Sequence, residues 1–195
     1  MVSPNPGTER SDLALLSACA EGDAEALLEL HRRHADRLHR YLARALGLRS
    51  GDVEDGVQQV FLVVWTRAGA FRPRSHASDE VRAWLFGIAT NVAREHRRRR
   101  VRRLRAIEQL SALPLLRPPR IDDQLSQRQL VQRAIDGLDE LSDPLRETYL
   151  ICDVEGLSGP EAARALGVRP GTLRRRLHEA RRRLRALLVE GLADE

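Results

Sequence analysis

The stretch from Gly156 to Arg185, GLSGPEAARALGVRPGTLRRRLHEARRRLR, constrains this chain more than any other. It predicts two helices joined by a tight turn. Ser158 is a good N-cap, and Glu161, three residues on, completes a capping box. Pro160 falls in the first turn, where its missing N–H costs little. Ala162, Ala163 and Leu166 make a small apolar face, and Gly167 supplies a stop because glycine tolerates the left-handed conformation. Pro170 restarts a helix in which Leu173, Leu177, Ala180, Leu184 and Leu187 recur at spacings of four, three, four and three, a single buried stripe. The other faces of that helix are crowded with arginine. This is the pattern of a helix-turn-helix, whose second helix can lie in a DNA major groove. A solvated arginine-rich helix in an ordinary bundle would give the same local signal.

Charge position sharpens that choice. The 33 basic residues are all arginine, and the chain carries a net charge of +5. Residues 94–105 hold eight arginines against Glu95, and residues 169–185 hold eight against Glu179. Each patch is a net +7, so the remainder of the chain carries −9. An acidic protein with two basic patches suits two polyanion contacts better than general stickiness. Aromatics are 4% of a chain that is 42% hydrophobic, so the core must be built from Leu, Ala and Val, which favours helices. Cys19 and Cys152 both sit in apolar helical patterns, as buried thiols do. No apolar run is long enough to span a membrane, and MVSPNPGTER lacks the apolar centre of a signal peptide; the expected location is cytoplasmic.

In chain order, residues 1–10 read as a loose tail. Ser11 caps a short helix that stops near Gly22, and Asp23 caps a second that reaches about Leu46. His31 and His34 share that helix, but no carboxylate or cysteine pattern makes a metal site of them. Asp52 caps a third helix, apolar on Val53, Val57, Val60, Phe61 and Val64 and polar on Glu54, Asp55, Gln58 and Gln59. A loop, AFRPRSHAS, leads to a cap at Ser78. The helix that follows has its stripe at Val81, Trp84, Leu85, Ile88, Ala89 and Val92, which gives way to the arginine run. Residues 107–125, with Pro114, Pro118 and Pro119, read as a linker. Two further helices precede the opening motif, the second starting at Asp143-Pro144. No strand is expected. The fold class is all-α: two small helical domains on a flexible linker.

With both halves laid out, the chain resembles the bacterial extracytoplasmic-function sigma factors. The resemblance rests on DVEDGVQQVFLVVW followed by VRAWLFGIATNVAREHRRRR, and on DPLRETYLICDVEGLSGPEAARALGV followed by GTLRRRLHEARRRLR. It implies sigma region two over 11–106, the linker over 107–125, sigma region four over 126–190 and a tail over 191–195. It implies a noncatalytic, cofactor-free specificity subunit that binds core RNA polymerase and promoter DNA, is restrained by an anti-sigma factor, and inserts in no membrane. Asp52, Glu54, Asp55, Gln58 and Gln59 would then grip the polymerase clamp. Phe61, Trp65 and Trp84 would be core. Ser75 and His76 would pocket an extruded base of the minus-ten element, while Asn91, Arg94, Arg97 and Arg98 track the opened strand. Arg174, Arg175 and His178 would read base edges of the minus-thirty-five element. Arg169, Thr172, Arg176 and Arg181 would contact phosphates. Four positions depart from the family's usual residues: Gly56 for leucine, Gln59 for an acid, Val63 for a basic residue and Gly159 for an aromatic.

The competing reading is a stand-alone helix-turn-helix repressor or activator, with 11–106 as its dimerisation or effector module. The acidic and amide face at 52–59 beside a DNA-opening basic helix is what separates the two, because a repressor has no use for it. An enzyme fits least, since no nucleophile constellation, glycine-rich phosphate loop or metal spacing appears.

Overall fold

The computed structural model describes residues 10–46, 51–73, 79–110 and 137–193, and all regular structure among them is helical. The helices are α1 (Asp12–Ala20), α2 (Ala24–Leu46), α3 (Gly51–Arg67), α4 (Asp79–Leu110), α5 (Asp143–Tyr149), α6 (Gly159–Leu166) and α7 (Pro170–Ala193). A 3₁₀ turn at Ala68–Ala70 follows α3, and the end of a further helix shows at 137–140.

Local chemistry sets the helix ends. The Ala14 N–H donates to Ser11 Oγ at 3.2 Å, and the Ala26 N–H donates to Asp23 Oδ1 at 3.1 Å, so each cap satisfies one orphan donor. Between them Gly22 turns the chain at φ +90, a conformation that strains any side chain. Two starts differ from expectation. α3 begins at Gly51, which puts Asp52 inside the first turn, and the N-cap of α5 is Ser142 rather than Asp143. The expected Ser78 cap and the 111–136 part of the chain lie outside the described residues. α4 runs on through Leu110, past the expected start of the linker.

α1 to α4 pack around Leu30, Leu38, Leu42, Val60, Phe86 and Ala89. Each large apolar side chain so buried stabilises the fold by about 1.5–3 kcal/mol. At the centre the Tyr41 hydroxyl and Thr90 Oγ1 share a hydrogen bond of 2.7 Å, and burial pushes the Tyr41 phenol well up. Gly56 is buried against this core, where an added Cβ would meet Leu42 Cδ1 at 3.2 Å. Leu42 already fills the space a leucine at 56 would take. The departure at Gly56 is therefore a matter of packing and leaves the outer face of α3 untouched.

The C-terminal half is built from α5, α6 and α7 around Leu145, Leu150, Leu166, Leu173 and Ala180. Arg146 is buried and satisfied: its guanidinium donates to the carbonyls of Leu138 at 2.6 Å and Asp139 at 2.8 Å, closing the helix that ends at 140. After α5 the chain widens into a π turn at Leu150–Val154, with the Glu155 N–H donating to the Leu150 carbonyl at 2.9 Å. Cys19 and Cys152 are both free thiols, and burial pushes Cys152 up to about 11.

The two halves pack against each other. α6 lies along α4 so closely that a Cβ at Gly87 would come 3.0 Å from the Ala165 carbonyl oxygen. Glu80 pairs with Arg164 at 3.8 Å, and Arg37 of α2 donates to the Glu155 carbonyl at 3.2 Å.

Candidate nucleic-acid and polymerase interfaces

The helix-turn-helix forms as its sequence dictates. Ser158 and Glu161 make the capping box, with the Ser158 N–H donating to Glu161 Oε2 at 2.8 Å. Gly167 closes α6 at φ +65. The Val168 N–H reaches back to the Ala163 carbonyl at 2.9 Å and the Gly167 N–H to the Arg164 carbonyl at 3.1 Å, the paired bonds of a Schellman stop. Pro170 then opens α7, whose Leu173, Ala180 and Leu184 are buried.

That burial fixes which α7 side chains face outward. Arg169, Arg174, Arg175 and His178 are exposed, Thr172 and Arg176 half-buried. Among the described residues, none of Arg169, Arg174 and Arg175 has a carboxylate within ion-pair distance. Arg181, Arg182 and Arg183, further along α7, are engaged. Arg181 makes a two-pronged contact with Asp153, at 2.8 and 2.6 Å. Arg182 and Arg183 both bind Glu179 and hold its carboxyl down at about 2.

The arginines of α4 divide in the same way. Arg94 donates through Nε and Nη2 to Glu147, the latter at 2.7 Å, and Arg97 Nη2 donates to the other oxygen of the same carboxylate. Glu147 belongs to α5, and its side chain is only 2% exposed. Hydrogen bonding to it holds Arg94 above the ordinary arginine range. Arg97 also donates to the Ala45 carbonyl at 2.8 Å, and its Nε lies 3.0 Å from Asp143 Oδ2 without the angle of a hydrogen bond. Arg98 is exposed with no described carboxylate in pairing range, and so is Asn91 apart from a long contact of 3.5 Å to Arg94. Arg98, Arg102, Arg105 and Arg176 line one cleft of about 870 Å³ between the halves. Ser75 and His76 lie outside the described residues.

On α3, Asp52, Glu54, Asp55 and Gln58 are exposed. Glu54 meets His39 at 3.3 Å, and the half-buried Gln59 turns back to His96 at 3.3 Å. Sequence reasoning missed two members of this face. Leu62 is 62% exposed, and Trp65, expected in the core, is 37% exposed. The signal was there: Asp55, Gln58, Leu62 and Trp65 are spaced three, four and three, a second stripe opposite Val53, Val57, Val60 and Val64. Trp84 is half-buried and tilts against Phe71 with ring centroids 5.2 Å apart. Val63 packs beside it against the core, which explains an apolar residue there.

The chain matches the family descriptions "Sigma-70 region 2" over residues 30–103 and "Sigma-70, region 4" over residues 130–184. It is 34% identical over 187 residues to the RNA polymerase sigma factor CnrH of Cupriavidus metallidurans, covering 92% of this chain and 95% of that one. To the ECF RNA polymerase sigma factor SigM of Mycobacterium tuberculosis it is 34% identical over 180 residues, covering 92% and 86%. Among solved structures it is similar to CnrH in complex with the cytosolic domain of CnrY, with a TM-score of 0.66 at 28% identity, over 93% of this chain and 99% of that one. It is also similar to the sigma factor RpoE bound to the anti-sigma factor NepR from Bartonella quintana, with a TM-score of 0.62 at 25% identity, over 82% and 94%.

Proposed function

This chain belongs to the extracytoplasmic-function RNA polymerase sigma factors, and on that premise we propose how its residues divide the work of promoter-directed initiation. As a sigma factor it joins core RNA polymerase and directs transcription from chosen promoters; a stand-alone repressor is not favoured. Residues 11–106 act as region two and 126–190 as region four, joined by the 107–125 linker. The protein acts without catalysis of its own, in the cytoplasm. Among the described residues no helix is long and apolar enough to cross a membrane. The relatives solved with CnrY and NepR support a regulatory partner of the anti-sigma kind for this chain.

One observation carries the residue assignment: an acidic and apolar face on α3 and two arginine-rich faces, on α4 and α7, coexist on a single chain. The exposed Asp52, Glu54, Asp55 and Gln58, extended by Leu62 and Trp65, offer a mixed polar and apolar face for polymerase, with Gln59 at its edge. Arg174, Arg175 and His178 offer forked and planar donors to duplex base edges, with Arg169, Thr172, Arg176 and Arg181 for phosphates. Asn91, Arg94, Arg97 and Arg98, with Ser75 and His76 before α4 in the sequence, serve the opened strand. Tethering to polymerase makes each modest DNA contact effectively intramolecular once the other has formed.

Run-off transcription with core polymerase on pooled promoter fragments tests this reading. Discrete starts that need the chain are expected; tight duplex binding by the chain alone without new starts would reverse it. Replacing Asp55, Gln58, Leu62 and Trp65 with alanine one at a time should weaken polymerase binding, most at Trp65, by about 2 kcal/mol if it is a buried anchor of the complex. All four side chains are at least partly exposed, so the helical signal should not change. Unaltered core affinity in a pull-down for every variant would remove α3 from the interface.

A further inference from the structure

We propose that Glu147 is a latch: in the free protein it holds the two halves closed and occupies Arg94 and Arg97, so that the strand-tracking arginines are masked until the halves part. The proposal rests on the assignment of those arginines to single-stranded DNA.

The geometry is that of a built contact. One carboxylate, almost wholly buried, receives both guanidinium groups, and both its oxygens are used. Asp143, one helical turn earlier, adds a second charge beside Arg97. Arg97 is further anchored on the Ala45 carbonyl at the end of α2, so the latch ties α2, α4 and α5 at one point. A second seam lies earlier along α4, at Gly87 and Glu80. There Gly87 admits α6 to a distance at which an added Cβ would crowd the Ala165 carbonyl at 3.0 Å, and Arg164 reaches Glu80.

A forked guanidinium binds carboxylate and phosphate by the same paired N–H donors. Glu147 therefore fills the sites that a DNA phosphate would fill, and the two occupants exclude one another. The latch is also reversible in principle. A buried ion pair roughly breaks even against solvation, so it specifies an arrangement more than it stabilises one. Contacts that bind α3 or α7 to a larger assembly could part the halves, and the arginines would then exchange carboxylate for phosphate.

Two variants of the full chain test this by different routes. Glu147→Gln removes the charge while keeping the shape. Gly87→Leu wedges the second seam and places a better helix former in α4. Neither residue belongs to the polymerase or DNA faces, so run-off with excess core polymerase should match wild type. Small-angle scattering reads the shape, and anisotropy of a fluorescein-labelled single-stranded DNA ten-mer reads the arginines. Both variants should expand relative to wild type. Both should also bind the ten-mer about ten-fold more tightly, the gain expected when a competent state held near a tenth of the population becomes dominant. If neither variant expands, the latch is wrong. Expansion without tighter binding overturns the masking, and with normal run-off it removes Arg94 and Arg97 from the strand path while leaving the sigma role intact. Loss of run-off with either variant would count against the assignment of these residues outside the working faces.

Discussion

α4 and α7 are both crowded with arginine, eight in the α4 run and seven on α7, yet they present them differently. On α7 the arginines nearest the turn, Arg174 and Arg175, project freely, while Arg181, Arg182 and Arg183 further along are paired with Asp153 and Glu179. On α4 Arg94 and Arg97, first in the run, are held by Glu147, Arg98 beyond them is free, and Arg99 and Arg102 share Glu95. Both helices are basic by composition. What sets availability is where the carboxylate comes from: Glu179 within α7 and Asp153, 28 residues before Arg181, on one helix, and Glu147, 50 and 53 residues from Arg97 and Arg94, on the other. The face proposed to read the duplex is thus unobstructed, while part of the face proposed to track the opened strand is held.

The largest expected effect sharpens this contrast within α4. Arg97→Ala strips Glu147 of one of its two partners, and removing one partner of a buried pair costs about 3–5 kcal/mol. Arg97 is 15% exposed and Arg94 remains in place, which argues for the low end, about 3 kcal/mol against the closed arrangement. Parting of the halves caps the loss, because Glu147 then reaches water. Arg98→Ala, on an exposed unpaired side chain, should stay within about 0.5 kcal/mol. Urea denaturation followed by circular dichroism compares the two, and equal midpoints would break the distinction between the held and the free arginines.

Next in size is the free face of α7. Arg174→Ala and Arg175→Ala should each lose about 1–3 kcal/mol per true base contact and relax preference at one position of the upstream element. Run-off on promoters varied base by base reads this directly. Unchanged preference in both variants would mean that exposure on α7 does not mark the reading residues.

What the sequence could and could not reveal follows the same division between local and remote. The capping box at Ser158, the αL stop at Gly167 and the caps at Ser11 and Asp23 are governed by residues within one turn, and all appear as expected. The all-helical class followed from periodicity and the scarcity of aromatics. The Glu147 contacts were illegible, because no local pattern announces which distant carboxylate meets which arginine. Trp65 was misassigned for another reason: apolar residues fall on both faces of α3, and a lone tryptophan does not say whether it joins the valine stripe or the mixed stripe of Asp55, Gln58 and Leu62. The π turn at Leu150–Val154 has no compositional signature in LICDV.

The smallest expected effect probes the paired end of α7. Arg181 meets Asp153 through two short hydrogen bonds, but the arginine side chain is 47% exposed, so the pair contributes at most about 1 kcal/mol to stability. Asp153→Asn should therefore leave the fold unchanged and release Arg181. A freed arginine within reach of a DNA phosphate adds one displaced counterion, so the salt dependence of duplex binding should steepen by about one in log–log slope. Arg181→Ala in the Asp153→Asn background should bring the slope back. An unchanged slope in Asp153→Asn would place Arg181 beyond the phosphate path, and the productive arginines of α7 would then be confined to the turn nearest Gly167.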